Sequence, residues 1–289
     1  MRINTNVSAM TTLRYLNQAT DAKSSSLTKL SSGSRINSAA DDAAGLAVSE
    51  KLKAQIGGLT QAQSNAQDGV SLIQTAEGGL SQIQTMLDRM RDLAVQSSNG
   101  TLATEDRNAI SKEFTDLKSE ISRIADTTEF NGKKLLGTSQ TSSAATTFTF
   151  QIGANSGQTL SVAISAMNSD ALKLTSSIGI VADTAATADN TSADIKSANT
   201  AIGAIDAAIS TVTNQRATLG ATQNRLNYAI SNLETSNENL SEANSRIRDV
   251  DMAQEMTQFT KSNILTQAAT SMLAQANAMP NSVLTLLQG

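Results

Sequence analysis

Leu52, Leu59, Ala66, Ile73, Leu80, Leu87 and Ala94 recur at every seventh position, and Ala62, Gly69, Ala76, Ile83 and Met90 follow members of that series by three. On a helix, spacings of three and four bring side chains to one stripe. A stripe held to period seven is the seam of a coiled-coil-like bundle. The segment predicts a helix of roughly 65 Å at a rise of about 1.5 Å per residue. Gly57-Gly58 and Gly78-Gly79 weaken it, each Gly costing about 1 kcal/mol against Ala, and are expected to permit a close approach or a bend. A second seam, Ala198, Ile205, Val212, Leu219, Leu226, Leu233, Leu240 and Ile247, is unbroken. Its companion series is Ile202, Ile209, Arg216, Gln223, Ile230, Asn237 and Asn244. The polar members either fix helix alignment or sit where the seam meets solvent, and the cost of burying polar groups favours the second.

Between the two seams the pattern changes. Ser97-Ser98-Asn99-Gly100 stops the first helix, with Gly100 placed to cap it. Thr104 reads as the N-cap of a shorter helix with Glu105 and Asp106 in its first turn. Ile110, Phe114, Leu117, Ile121 and Ile124 carry it on, antiparallel to its predecessor because the link is short. Asn131-Gly132 ends it in a turn. The period then becomes two. Phe148, Phe150 and Ile152 alternate with polar residues, a turn spans Gly153 to Gly157, and Leu160, Val162 and Ile164 alternate again, which predicts a β-hairpin. From about 166 to 194 the chain is Ser, Thr, Ala and Asp with little periodicity, expected as loops and a small surface excursion.

Both ends carry apolar stripes. One is Ile3, Val7, Met10, Leu13 and Leu16; the other is Ile264, Ala268, Met272, Ala276, Met279, Val283 and Leu287. Termini are normally the frayed part of a domain, and apolar stripes that reach them need a partner surface. The ends are expected to pair with each other and then with copies of the chain. Ile3, Val7, Met10, Leu13, Leu16, Ile264, Met272, Val283 and Leu287 would then make contacts between subunits. Ordering them costs about 1–2 kcal/mol per residue in backbone entropy. Burial at about 25 cal/mol per Å2 would offset this only in the polymer, so the ends are expected to order on assembly. The fold class is mainly α: a long coiled-coil-like antiparallel bundle with paired terminal helices and a small β-hairpin region at its distal end.

Composition removes most enzyme classes. There is no Cys and no His. Disulfides, thiol chemistry, the commonest general base and the commonest metal ligand are therefore absent, and HExxH zinc sites and Ser-His-Asp triads are excluded. No catalytic, cofactor-binding or metal residue is expected, and the chain is read as a non-enzyme. Aromatics make up 2% and Trp is absent, which suits thin helical bundles better than a thick core. Net charge is −4 and the 22 Lys and Arg are scattered, so no nucleic-acid partner is expected. No apolar run approaches transmembrane length, so no membrane partner is expected either. The opening MRINTNVSAM lacks the regions of a secretory signal, and export would use another route. The single proline, Pro280, is consistent with long uninterrupted helices.

At this point the residues carry a family. Ile3 to Asn6, Leu30 to Ala39, Asp41 to Gly45, Gly58 to Ala62, Thr75 to Gly78, Arg91 to Gln96, Phe130 to Gly132, Gln151 to Asn155, Leu219 to Ala221, Gln223 to Leu226 and Ala274 to Asn277 stand in the order and spacing of bacterial flagellin, which the chain resembles along nearly all of its length. The resemblance implies a filament subunit exported unfolded and secreted to the flagellum. In the family the terminal helices, here 1–45 and 246–289, form an inner core. The bundle, here 46–140 and 195–245, forms an outer core, and 141–194 would be the hairpin and a short exposed surface. It also implies partners: other copies of the chain, the flagellar export apparatus, an export chaperone, the filament cap and hook-associated proteins. Arg89, Leu93, Gln96 and Glu113 fall on a face that in the family makes an axial subunit contact and, in many members, binds Toll-like receptor 5. The alternative within the same class is the hook-filament junction protein, which shares the terminal motifs. From another class, a chemoreceptor signalling bundle also has heptads but would lack the hairpin and would normally carry membrane spans.

Overall fold

The computed structural model of the chain describes residues 5–137, 145–174, 179–180 and 191–288. In chain order the elements are α1 (Val7–Ser32), α2 (Ala43–Ser97), α3 (Thr104–Thr127), β1 (Glu129–Phe130), β2 (Lys133–Lys134), β3 (Thr146–Gln151), β4 (Thr159–Ile164), α4 (Thr191–Arg248) and α5 (Met252–Gln288). The chain divides into two compact units, Met1–Ile56 with Asn237–Gly289 and Gly57–Ser236. Helices α2 and α4 contribute residues to both.

The Gly57–Ser236 unit is a bundle of α2, α3 and α4 with the β3–β4 hairpin laid along it. The expected seams are its core: Ala66, Ile73, Leu80, Leu87 and Ala94 of α2, and Ala198, Ile205, Val212, Leu219 and Leu226 of α4, are all fully buried. The helices run antiparallel, as Gln63 donating to Glu234 and Arg91 pairing with Asp206 require. Helix α3 returns along α2, with Arg89 paired to Glu113 near one end and Thr128 beside Gly79 near the other.

The companion series on α4 is only half-buried throughout, and the second buried row is Asp194, Ala201, Ala208, Gln215 and Thr222, three residues after the first rather than four. Small side chains there let the backbones approach, and that makes this row the dry one. Arg216 sits at the edge of the seam: Nη1 donates to Gln84 at 2.6 Å, Nη2 lies 3.5 Å from Glu77, and Nε has no partner among the described residues.

The hairpin pairs Phe148 with Val162 and Phe150 with Leu160. Its inward face (Phe148, Leu160, Val162 and Ile164) is buried, as alternation demands. Gln151 closes the turn by donating to the carbonyls of Gly153 and Asn155, with Gly157 at φ +83°. Gln215 donates to Ala163 O and Asn65 to Gln151 O, fixing the hairpin to α4 and α2. The α2 glycines divide by role. A Cβ on Gly58 would meet Ala154 at 2.9 Å and one on Gly79 would meet Leu136 at 2.8 Å, whereas Gly57 and Gly78 face open space.

Two local expectations are corrected. Thr104 is the first helical residue, not the cap; Ala103 occupies the cap position and makes no side-chain hydrogen bond. Gly100 is not in the left-handed conformation that a capping glycine adopts. Arg107 instead ties the link between α2 and α3 from inside: it is 2% exposed and donates to Asn99 O and Leu102 O. The surface excursion expected for 166–194 is not what its described part forms. Met167, Leu172, Leu174 and Ile180 are buried in the core, and Met167 N bonds Leu136 O. Isolated apolar residues at irregular spacing fill gaps that no period announces. Residues 175–178 and 181–190 lie outside the described residues.

In the Met1–Ile56 and Asn237–Gly289 unit, α1 and α5 pair antiparallel: Asn6 donates to Ala276 O, and Lys23 donates to Asn263. Asn6 also caps α1 by accepting from Ala9 N, and Asp251 caps α5 by accepting from Ala253 N and Gln254 N. The pairing forms within a single chain. The inward face of α5 is Phe259, Ser262, Thr266, Ala269, Leu273 and Ala276, and that of α1 is Thr12, Leu16, Ala19, Lys23, Ser26 and Leu30. Both follow alternating steps of three and four, with small and hydroxylated residues at most positions.

Gly78→Ala should raise thermal stability by up to about 1 kcal/mol by improving helix propensity without a clash. Gly79→Ala should lower it by about 1–3 kcal/mol through overpacking against Leu136 and Thr128. Paired thermal melts read both.

Candidate assembly surfaces

The terminal helices carry more apolar surface than their mutual seam uses. Val7 and Met10 are more than 60% exposed, as is Met272, and Leu13, Tyr15, Ile264 and Leu265 are exposed as well. Five of the expected assembly residues, Val7, Met10, Leu13, Ile264 and Met272, therefore point away from the α1–α5 seam. Leu16 turns inward instead, half-buried in that seam, because it falls on the three-four track of Thr12 and Ala19. Ile3 lies outside the described residues, as do the side chains of Val283 and Leu287. Val7, Thr11, Tyr15, Leu265, Ala268 and Met272 border a groove of about 880 Å3 between the two helices. Its two threonines are less polar than they read. Thr11 and Thr12 donate to Val7 O and Ser8 O, so their hydroxyl protons are committed within their own helix.

The helix pair is anchored at one end by its connecting segments. Gly33 ends α1 at φ +68°. Ser34 then bridges Asp249, Arg35 N bonds Arg248 O at 2.6 Å, Val250 N bonds Gly33 O at 3.1 Å, and the Arg35 guanidinium donates to Ile247 O. Ile36 is buried beside Gly45, where a Cβ would overlap it at 2.7 Å. Asp41 closes the turn by accepting from the backbone N–H groups of Asn37 and Ser38 and from the Ser38 hydroxyl. The Ser38 and Asn37 amides hold its carboxyl below the usual aspartate value. The Leu30 to Gly45 motif is thus a backbone clasp between the two chain reversals.

A second surface lies on the other unit. Arg89 and Gln96 are exposed on α2, and Arg89 Nη2 lies 2.8 Å from Glu113 on α3. Beside them Arg91 contacts Asp206 at 2.7 Å. The Asp206 carboxylate raises the Arg91 guanidinium above its ordinary value through its hydrogen bond and its charge. Exposed pairs like these set orientation more than stability. Leu93 does not join this face. It is 2% exposed and belongs to the core, in the buried arc of Met90, Ala94 and Ser97. Helix α2 contacts partners on two sides, α3 through Arg89 and α4 through Arg91, so its buried arc is wider than a two-position seam.

Among the described residues no group of three or more acidic side chains is placed to hold a metal, and no helix is long and apolar enough to cross a membrane. What stands out is two surfaces, the apolar outer faces of α1 and α5 and the exposed ion pairs of Arg89 with Glu113 and Arg91 with Asp206. The bacterial flagellin N-terminal helical region matches residues 3–141, and the bacterial flagellin C-terminal helical region matches residues 202–287.

The chain belongs to the bacterial flagellin family.

It is 49% identical to the flagellin of Bacillus subtilis (strain 168), with both chains covered in full. It is 46% identical to the flagellar filament 33 kDa core protein of Treponema phagedenis, again over the whole of both chains. The family's members are structural proteins of the flagellar filament, and this chain is a structural subunit of that filament. A solved structure of a flagellar hook-associated protein from Vibrio parahaemolyticus covers 72% of this chain and 100% of its own, with a TM-score of 0.58 and 16% identity. That likeness is one of fold alone, and the full-length flagellin relatives decide against the junction-protein alternative.

A carboxyl held below its usual value contributes stability that is present above that value and is lost as pH falls through the depressed one. Carbon-13 titration of the side-chain carboxyl should place Asp41 below an ordinary aspartate. Asp41→Ala should remove the acid-dependent loosening of the 33–42 segment, read by backbone amide shifts.

Proposed function

We propose that the outward apolar faces of α1 and α5 are the surfaces through which copies of this chain polymerise. The observation that carries this is the double-sidedness of the two helices. Each already satisfies its partner through a seam of small residues, yet Val7, Met10, Leu13, Ile264 and Met272 remain on the outside. At about 25 cal/mol per Å2, covering such faces is a strong drive to association that repeats with every added subunit. The clasp at Gly33–Arg35 and Arg248–Val250 presents the pair as one body to its neighbours. The inner-core role of 1–45 and 246–289, the outer-core role of 46–140 and 195–245 and the exposed role of 141–194 fit this arrangement. Membership of the family supports extending the proposal to export through the flagellar apparatus, with a chaperone, a cap and hook-associated proteins as partners, and to delivery outside the cell. The role is structural rather than enzymatic.

Leu13→Asp together with Leu265→Asp should leave the melting of the subunit nearly unchanged, since both residues are exposed. Burying an unpaired charge at each contact should slow seeded filament growth by tenfold or more. Electron microscopy of seeded reactions reads the result. Growth at the parent rate would show that these faces are not the contact.

For the second surface we propose contact through Arg89, Gln96 and Glu113, with Leu93 supporting from beneath, both along the filament and with Toll-like receptor 5. The exposed Arg89–Glu113 pair supports this, because it offers fixed donors and acceptors at the surface. Arg89→Ala should weaken receptor signalling severalfold at unchanged thermal stability. Full signalling by that variant would remove Arg89 from the site.

A further inference from the structure

The chain contains nine Met and no Cys, so every sulfur in it is a thioether. The described methionines divide by unit. Met86, Met90 and Met167 belong to the core of the Gly57–Ser236 unit, Met90 and Met167 fully buried and Met86 packed against them. Met10, Met252, Met256, Met272 and Met279 are on the terminal helices, each about half exposed or more. Packing inside one chain does not need them there. Met is flexible and polarisable, and it suits faces that must fit a neighbour. The same atoms are also the most open in the molecule to oxidation.

We propose that Met10, Met252, Met256, Met272 and Met279 are peroxide-modification sites that gate assembly, with oxidation withdrawing the free subunit from polymerisation and the filament shielding the same sulfurs. The inference rests on the assembly face proposed above. The chemistry needs a hydroperoxide as oxidant. A thioether lone pair attacks the terminal peroxide oxygen, the O–O bond breaks as the S–O bond forms, and the departing hydroxide takes up the proton to leave water. Sulfur loses two electrons and the peroxide gains them. Susceptibility follows exposure, so the five terminal-helix residues react and Met90 and Met167 do not.

The product is a strong hydrogen-bond acceptor on a face that works by being apolar. Each new contact would then have to take a polar oxygen out of water, which weakens it. The other unit keeps its core sulfurs reduced and its fold intact, so an oxidised subunit is folded and soluble but fails to add to a filament end.

The test treats the full-length free subunit with hydrogen peroxide, maps oxygen addition by peptide mass spectrometry and measures seeded growth. Sulfoxide at the five terminal-helix sites and none at Met90 or Met167 is expected, with growth slowed roughly tenfold or more. Enzymatic reduction of the sulfoxides should restore growth. A chain carrying Met10→Leu, Met252→Leu, Met256→Leu, Met272→Leu and Met279→Leu should grow at one rate before and after peroxide. Preformed filaments should show the five sites protected. Parent growth unimpaired by complete oxidation, or growth that reduction does not restore, would overturn the proposal. So would equal peroxide sensitivity in the leucine chain. Oxidation of these residues as fast in filaments as in free subunits would instead defeat the assembly face itself.

Discussion

Backbone distance between paired helices is set by the side chains at the seam, and nearly everything else in the chain follows from that choice. In the bundle unit one row is large, running through Leu80 and Leu87 on α2 and Leu219 and Leu226 on α4, and the row three residues on is small, Ala201 and Ala208. Large against small gives interdigitation and a dry core from aliphatic residues alone. It also explains how a chain with so few rings holds together. Phe114 is fully inside, Phe148 covers the core from the hairpin, and the rest is Leu, Ile, Val, Met and Ala.

The terminal helices use the same geometry with different contents. Their seam is mostly Ala, Ser and Thr, which brings the helices together and buries little. That leaves the larger aliphatic residues for the opposite faces. A helix pair of this kind is a finished object on one side and an unfinished one on the other. The Arg35, Asp249 and Val250 backbone contacts fix its ends without drawing on apolar area.

The heptads were legible because Leu and Ile mark them, and the burial of every position from Ala198 to Leu233 in that series agrees. The hairpin was legible from strict alternation and its turn from Gly153 and Gly157. The second row of α4 was not, because Asp194, Ala201, Gln215 and Thr222 carry no apolar signature and the Ile residues one position on draw the eye instead. The inward faces of α1 and α5 were hidden for the same reason, since hydroxyls that bond their own carbonyls behave as small spacers. A single seam puts Leu93 on the surface, whereas a helix that contacts two neighbours buries it. Arg107 has no signature in the sequence, since a lone arginine reads as a surface charge until its carbonyl partners at Asn99 and Leu102 are known.

A repeat of seven has an ambiguity built into it: slide one helix along the other by a whole heptad and Leu meets Leu as well as before. Polar and charged pairs across the seam remove that freedom. Arg91 meets Asp206 and Gln63 meets Glu234 only at the present offset. Arg216 holds both Gln84 and Glu77, one heptad apart on α2, only there: a slide of seven residues sets Glu77 and Val70, or Arg91 and Gln84, in their places. The partnerless Nε of Arg216 is the cost of that discrimination. Along an otherwise repetitive seam, Arg216 and the Arg91–Asp206 and Gln63–Glu234 pairs act as index marks by which two helices find a single alignment.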